Sequence, residues 1–149
     1  RAAKMYVLPG NHESAASVAD FCRTFGLYAF HGQSIEREGY HIAGLGYSSP
    51  TPFNTPGEYS EAEIAGRLAP FAVLKPLILI CHCPPYGTAL DRVRAGAHAG
   101  SRSVARFIQE HQPAIFVSGH IHEAAGTVTT LGKTRAYSTG PRGCLIEAG

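Results

Sequence analysis

Apolar residues recur at helical spacing in three stretches of the chain, with polar residues between them. The pattern predicts helices over 14–25, 60–71 and 101–112. Ser60 is followed three residues later by Glu63, the sequence of a capping box, which predicts where the second helix begins. Gly26 follows the first helical stretch and is expected to stop it.

Short apolar runs between the helices predict strands. PLILIC at 76–81 and AIFVS at 114–118 have the continuous apolar character of strands that are buried on both faces. Further strands are expected at 4–8, 27–30, 34–37 and 40–45, and three antiparallel strands at 127–131, 133–138 and 144–147. Loops rich in proline and glycine are expected over 48–56 and 83–100. This mixed order of strands and helices predicts an α/β or α+β fold.

Composition narrows the class of protein. A chain of 149 residues suits a single domain, and 44% apolar with 16% charged residues is typical of an ordinary globular protein. The net charge is only +2 and the basic residues are scattered, so the sequence carries no patch for nucleic acid. No apolar run approaches about 18 residues, so no membrane span is expected.

Four cysteines lie at positions 22, 81, 83 and 144, and no pair has the CxxC spacing of a zinc or redox motif. We expect free thiols and a cytoplasmic location, because a disulfide framework is unusual in a chain with this much apolar sequence. Cys81 and Cys83 flank His82, but on an extended chain they face away from it. A structural zinc module built on these three residues would lack a fourth ligand at normal spacing.

Polar residues of one chemical type follow three of the predicted strands. Asn11 and His12 come after the first strand, His82 directly after PLILIC, and His120 and His122 after AIFVS. In α/β sheets, ligands bind in the crevice beyond the carboxyl ends of the strands. The sequence therefore predicts that these side chains converge on one site.

Each of these positions has a simpler interpretation by itself. His82 could be a hydrogen-bonded histidine at the rim of the core, and Asn11 with His12 could be no more than a turn. His120 and His122 are two positions apart, so on a regular strand both would face the same side and approach one metal centre or two adjacent ones. Imidazole with an amide oxygen favours manganese, with iron, zinc and nickel as alternatives.

Together these residues match a known family. Gly-Asn-His-Glu from Gly10, the strand-end His82 and Gly-His-x-His from Gly119 occur in the order of the later signature motifs of the calcineurin-like metallophosphoesterases, which they resemble. HCPPYGTALDRV, followed by His98-Ala99-Gly100-Ser101, also resembles a bacterial and archaeal branch of small phosphohydrolases. The resemblance covers nearly the whole chain.

The resemblance implies a fold and a metal site. The fold is two mixed β-sheets sandwiched between helices, with two divalent metal ions at the strand ends on one side. Asn11, His82 and His120 would bind one ion, and His122 would bind the other.

It also implies a catalytic role for His12. His12 would be the general acid for the leaving oxygen or an electrostatic partner of the scissile phosphate, and Glu13 would orient it. The loops carrying Tyr47, Phe53 and Tyr86 are candidates to shape the substrate pocket, although these aromatics could instead pack the loops down.

The family's first two motifs, Asp-x-His and Gly-Asp-x-x-Asp, do not occur in the sequence, which begins at Arg1. We therefore expect residues 1–149 to be one phosphoesterase domain that lacks two strand–helix units, on the order of 60 residues. Those units would supply the carboxylate that bridges the two ions. On this expectation the chain alone is weakly active or inactive.

The function implied by the resemblance is hydrolysis of a phosphodiester or phosphomonoester by a metal-activated water. The expected partner is a phosphoester substrate, with no nucleic acid and no membrane. An alternative of another class stays open, in which the same fold serves as a non-catalytic protein-interaction module. An inactive fragment of the enzyme is the third interpretation.

Overall fold

The computed structural model describes residues 3–94 and 96–148. Its α-helices are α1 (Ala15–Phe25), α2 (Glu61–Leu68) and α3 (Arg102–His111), with 3-10 turns at Ala69–Val73 and His122–Ala124. Its strands are β1 (Tyr6–Val7), β2 (Tyr28–Ala29), β3 (Gln33–Arg37), β4 (Tyr40–Leu45), β5 (Leu77–Cys81), β6 (Ile115–Ser118), β7 (Val128–Leu131) and β8 (Thr134–Ser138). One position of the predicted second loop, residue 95, lies outside the described residues.

The main sheet has six strands in the order β3-β4-β5-β6-β8-β7. The four central strands β4, β5, β6 and β8 are parallel, and β3 and β7 pair antiparallel to them at the two edges. A second, two-stranded sheet joins β1 and β2 in parallel, with α1 as the connection between them. The expected mixed α/β fold is confirmed. Its parallel centre places the carboxyl ends of four strands at one edge.

A row of fully buried apolar residues crosses the centre of the main sheet. Ala43, Leu79, Phe116 and Ala136 pair with one another in register across the four parallel strands, and each is 0% exposed. This burial fixes the register of the strands, because a slip by one residue would turn the row toward the other face. The apolar faces of α2 and α3 belong to the same core, through Ile64, Leu68, Val104, Phe107 and Ile108.

The ends of the helices follow local sequence rules. Both halves of the Ser60–Glu63 capping box are present, and Gly26 ends α1 at a φ of 67°. The second helix is shorter than predicted: α2 ends at Leu68 and the chain continues as a 3-10 turn. Pro70 explains the difference, because proline lacks the N–H that an α-helix needs at this point.

The predicted strand at 144–147 is wrong. Residues 144–147 belong to no strand, and the Leu145 side chain is 92% exposed. The preceding strand β8 already pairs with β6 on one side and β7 on the other, so it has no free edge to offer a third tail strand.

All four cysteines are free thiols. Three are buried and only Cys144 is exposed. Within the described residues, no helix has the length and apolar character to cross a membrane.

We predict that Leu79→Ala lowers the free energy of unfolding by about 2–5 kcal/mol, because it opens a cavity at the fully buried centre of β5. Val73→Ala is the matched control, since the Val73 side chain is 83% exposed, and it should change stability by less than about 0.5 kcal/mol. Urea unfolding followed by circular dichroism measures both variants. Equal losses in the two would contradict the assigned core.

Candidate metal centre

The parallel strands hold His82 at the carboxyl edge of the main sheet. Its backbone N–H donates to the carbonyl of Leu45 at 3.0 Å, and its carbonyl accepts from the N–H of Gly119 at 3.2 Å. The ladder on both sides of β5 therefore extends one residue beyond the strand. This bonding fixes the His82 backbone between the ends of β4 and β6.

The side chain of Asn11 meets two imidazole rings at this edge. Asn11 Oδ1 lies 3.1 Å from His82 Nε2 and 3.2 Å from His120 Nδ1. The two ring centres are 5.0 Å apart, and Asn11 is only 5% exposed. The structure thus brings together three of the predicted site residues, of which His82 and His120 are 71 and 109 positions from Asn11 in the sequence.

A chain of hydrogen bonds orients the Asn11 amide. Asn11 Nδ2 donates to Thr55 Oγ1 at 3.1 Å, and Thr55 Oγ1 donates its proton to Glu58 Oε1 at 2.7 Å. A carboxylate accepts only, and a hydroxyl has a single proton, so Thr55 Oγ1 can only accept from Asn11. The amide nitrogen must therefore face Thr55, and the amide oxygen must face the two histidines.

Glu58 is held in its charged form by the same loop. Its carboxylate accepts from Thr51 Oγ1 at 2.5 Å and from the N–H and hydroxyl of Thr55 at 2.8 and 2.7 Å. The hydrogen bonds from Thr51 first, and then those from Thr55, lower the pKa of Glu58 to about 2. Glu58, the last acceptor in the chain that runs from Asn11 through Thr55, is therefore ionised across the physiological pH range.

The backbone of Asn11 is held by a close approach to Gly57. The Gly57 N–H donates to the Asn11 carbonyl at 2.8 Å. A Cβ at position 57 would lie 2.9 Å from Asn11 Cα and 2.8 Å from the Gly10 carbonyl oxygen, so a larger residue would displace the strand-end loop. Glycine is required here by the lack of space.

The geometry predicted for His120 and His122 is wrong in one respect. Strand β6 ends at Ser118, His120 has a φ of 67°, and His122 begins a 3-10 turn. The alternation of a regular strand therefore does not apply to this pair. Instead, the left-handed His120 backbone, uncommon for a residue with a side chain, turns its ring toward Asn11. The exposed His122 lines the cavity beside it.

His12 is exposed and lines the same cavity, next to Asn11. Glu13, expected to orient His12, instead accepts through Oε2 from the backbone N–H of Gly10 at 3.0 Å. Its carboxylate therefore closes the turn that follows β1.

The two histidines beside Asn11 are kept neutral. Burial, followed by repulsion from His120, His12 and His122, lowers the pKa of His82 to about 4. Burial, followed by repulsion from His122 and His12, also lowers the pKa of His120. At pH 7 both rings thus keep the lone pair that a metal ligand needs.

The donor atoms are spaced as ligands of one ion would be. Metal–ligand bonds of about 2.0–2.2 Å at angles near 90–110° separate neighbouring ligand atoms by roughly 2.8–3.6 Å. The Asn11–His82 and Asn11–His120 distances of 3.1 and 3.2 Å lie within that range. Within residues 3–94 and 96–148, no group of three or more His, Cys, Asp or Glu side chains could hold a metal ion. The cluster fits a metal only because the amide oxygen of Asn11 joins the two imidazoles.

The cysteines beside His82 belong to the core. Cys81 and Cys83 are 2% and 3% exposed, and neither lines the cavity. Burial raises the pKa of both thiols, so neither becomes a thiolate ligand at neutral pH.

The site opens into a cavity of about 860 Å³. Its walls come from the turn after β1, the loops at 48–56 and 83–100, the first residues of α2 and α3, and the segment after β6. They include Asn11, His12, Glu13, Pro50, Phe53, Glu61, Tyr86, His98, Arg102, His120, His122 and Glu123. Of the three aromatics expected here, Phe53 and Tyr86 line the cavity. Tyr47 instead ties down α1, accepting from the Ala15 N–H at 2.7 Å.

Three residues of this region are not found by sequence reasoning. Thr55 acts on Asn11 across 44 positions, and Glu58 acts through Thr55, so no spacing reveals them. The third is Asp91, which is fully buried behind the wall of the cavity. It lies within the segment HCPPYGTALDRV, but one aspartate in a loop carries no signal by itself.

Comparison with known proteins supplies the family context. The sequence model described as calcineurin-like phosphoesterase matches residues 1–124. The protein MJ1162 of Methanocaldococcus jannaschii, itself uncharacterised, is 35% identical over 149 residues. That match covers 93% of this chain and 65% of MJ1162, so the chain spans just under two thirds of its relative.

Solved structures share the fold. One crystal structure has a TM-score of 0.72 at 21% identity, covering 92% of this chain and 57% of the other. The crystal structure of TT1561 of Thermus thermophilus has a TM-score of 0.63 at 19% identity, covering 91% of this chain and 62% of the other. At these identities the likeness shows the architecture alone.

We predict that stability of the metal-free protein falls as pH drops from about 6.5 toward 4. His82 has a pKa of about 4 when folded and about 6.5 when unfolded, so between these values the unfolded chain binds more protons. His82→Asn should flatten this dependence, because asparagine does not titrate. Urea midpoints across the range measure it. An NMR titration that places the pKa of His82 near 6.5 would contradict the assignment.

Proposed function

Because the chain belongs to the calcineurin-like phosphoesterase family, we propose that its full-length protein hydrolyses phosphoester bonds with divalent metal ions bound at the strand-end site. One observation carries the proposal: Asn11 Oδ1 lies within 3.2 Å of two neutral imidazoles at the wall of a large cavity. The buried amide is directed at two ring nitrogens by hydrogen bonds through two residues, Thr55 and Glu58, and this arrangement suits a ligand that needs oxygen and nitrogen donors.

The proposed ligand roles are those that the family resemblance implies. Asn11, His82 and His120 would hold one ion, and the exposed His122, on the same cavity wall, would bind the second. Manganese suits this mixed oxygen and nitrogen set best, with iron, zinc and nickel as alternatives. The substrate would be a phosphodiester or a phosphomonoester.

When bound, two divalent ions would supply Lewis acidity that activates water and stabilises charge on the phosphoryl group. The chain's own residues position the reaction. The carboxyl ends of β5 and β6 fix His82 and His120, and Thr55 with Glu58 directs the amide of Asn11. His12 stands exposed beside them, free to donate a proton to the leaving oxygen.

We predict that His12→Ala in the full-length protein lowers the turnover of bis-p-nitrophenyl phosphate by about 10²–10⁴, the usual cost of losing a general acid. Manganese content, measured by elemental analysis, should not change, because His12 is not proposed as a ligand. His111→Ala is the control, since His111 lies at the end of α3 and outside the cavity. Full activity in His12→Ala, or loss of its metal, would show that the role is misassigned.

We predict that Thr55→Val weakens manganese binding by roughly 10–100-fold, the usual cost of losing a partner that orients a ligand. Without the hydroxyl, nothing specifies which face of the Asn11 amide points at the histidines. Isothermal titration calorimetry on the protein measures the affinity without any substrate. Thr55→Ser should restore binding, because serine keeps the hydroxyl.

Thr51→Val is the matched control for that measurement. Thr51 also donates to Glu58 but makes no hydrogen bond to Asn11, so its loss should affect the affinity much less. Equal affinities in wild type and Thr55→Val would mean that the amide needs no such orientation. No manganese binding by the wild type would favour the non-catalytic interaction module instead.

A further inference from the structure

A second carboxylate organises the cavity wall away from the strand ends. Asp91 is 0% exposed and accepts hydrogen bonds from the N–H groups of Gly87, Thr88 and Gly100 at 3.1, 3.0 and 2.9 Å. It also contacts His98, whose Nδ1 lies 2.6 Å from Asp91 Oδ1. One buried side chain thus joins the two ends of the loop between β5 and α3.

The contact with Asp91 determines that Nδ1 of the His98 ring carries a proton. Because the carboxylate only accepts, Nδ1 must carry a proton and donate it to Asp91. Nε2, on the opposite edge of the ring, makes no hydrogen bond to another described residue. The His98 side chain is 27% exposed and lines the same cavity as Asn11, His82 and His120. Part of this side chain can therefore be reached from the cavity that would hold the substrate.

The neighbours of His98 favour an anionic partner. Tyr86 packs against His98, with ring centres 5.7 Å apart, and the Arg102 guanidinium lies 4.0 Å above the Tyr86 ring. The guanidinium covers one face of Tyr86, which leaves less room there for a stacked base. Arg102 lines the same cavity, so this wall carries a cation that would attract an anionic phosphate group.

We propose that His98 is a substrate-binding residue, and that its Nε2 forms a hydrogen bond with the phosphate group of the substrate while Asp91 positions the ring. The inference rests on the proposed phosphoesterase function and adds a residue outside the metal ligands and His12. A role in holding the loop would not by itself require His98 at the cavity, since Asp91 already accepts from three backbone N–H groups.

The test uses substitutions that remove the two ring nitrogens of His98 one at a time. The amide nitrogen of His98→Asn falls near the position of Nδ1, so this variant keeps the bond to Asp91 and loses the group at Nε2. We expect kcat/KM for bis-p-nitrophenyl phosphate to fall about 10–100-fold in the full-length protein, the effect of losing one hydrogen bond to a charged group. Binding of inorganic phosphate to the manganese-loaded protein should weaken about 10-fold or more, for the same reason.

The control substitutions exclude a purely structural effect. His98→Gln places its amide nitrogen near Nε2 and should recover part of the phosphate affinity although it loses the bond to Asp91. His111→Asn makes the same change beside another carboxylate, Glu110, away from the cavity, and should leave phosphate binding unchanged. Manganese affinity and the unfolding midpoint should match wild type in His98→Asn.

The outcomes separate this inference from the proposed function. A wild-type protein that hydrolyses phosphoesters, with His98→Asn equal to it in kcat/KM and phosphate affinity, would overturn the role of His98 alone. That role is also overturned if His98→Gln binds phosphate as weakly as His98→Asn. A wild-type protein with no metal-dependent hydrolysis would overturn the proposed function, and the phosphate-binding measurement would then decide on His98 by itself.

Discussion

The parallel pairing of β4, β5 and β6 is the constraint on which the rest of the molecule depends. The buried row from Ala43 to Ala136 fixes the register of these strands, and register fixes where each strand ends. His82 and Gly119 are joined by a backbone hydrogen bond at that edge, one residue before His120. The hydrophobic effect in the core therefore sets the spacing of polar groups at the edge, although the buried row itself does not line the cavity.

Two carboxylates have the same effect on two sides of the cavity. Glu58 accepts from the hydroxyls of Thr51 and Thr55 and through Thr55 directs the Asn11 amide. Asp91 accepts from three backbone N–H groups and directs the ring of His98. In each case a carboxylate ties down a loop and removes the freedom of a side chain that faces the cavity. Loops without regular structure can thus hold side chains that face the cavity in defined orientations.

The electrostatics of the site follow from burial among like groups. His82 and His120 are largely removed from water, and His12 and His122 stand nearby, so protonation of the inner pair is disfavoured. Neutral rings and an amide carry no negative charge. On the proposed function, a carboxylate from elsewhere would therefore be needed to hold two dications close together at this cluster.

Much of the fold could be predicted from local sequence. Helical spacing and the Ser60 cap located the helices, and the apolar runs before His82 and Gly119 located the central strands, because these signals depend on neighbouring residues. The early end of α2 at Leu68 depended on the backbone N–H that Pro70 lacks, and the absence of a strand at 144–147 depended on the edges of β8 that were already paired.

The candidate site, too, has features that the sequence indicated and features that it did not. The motifs themselves indicated Asn11, His82, His120 and His122, since each lies beyond the carboxyl end of a predicted strand, where ligands bind in α/β folds. The left-handed turn at His120, the orientation of the Asn11 amide by Thr55 and Glu58, and the pairing of Asp91 with His98 were decided only by the tertiary structure. These features are contacts between loops, and the long-range packing that brings such loops together leaves no period or spacing in the sequence.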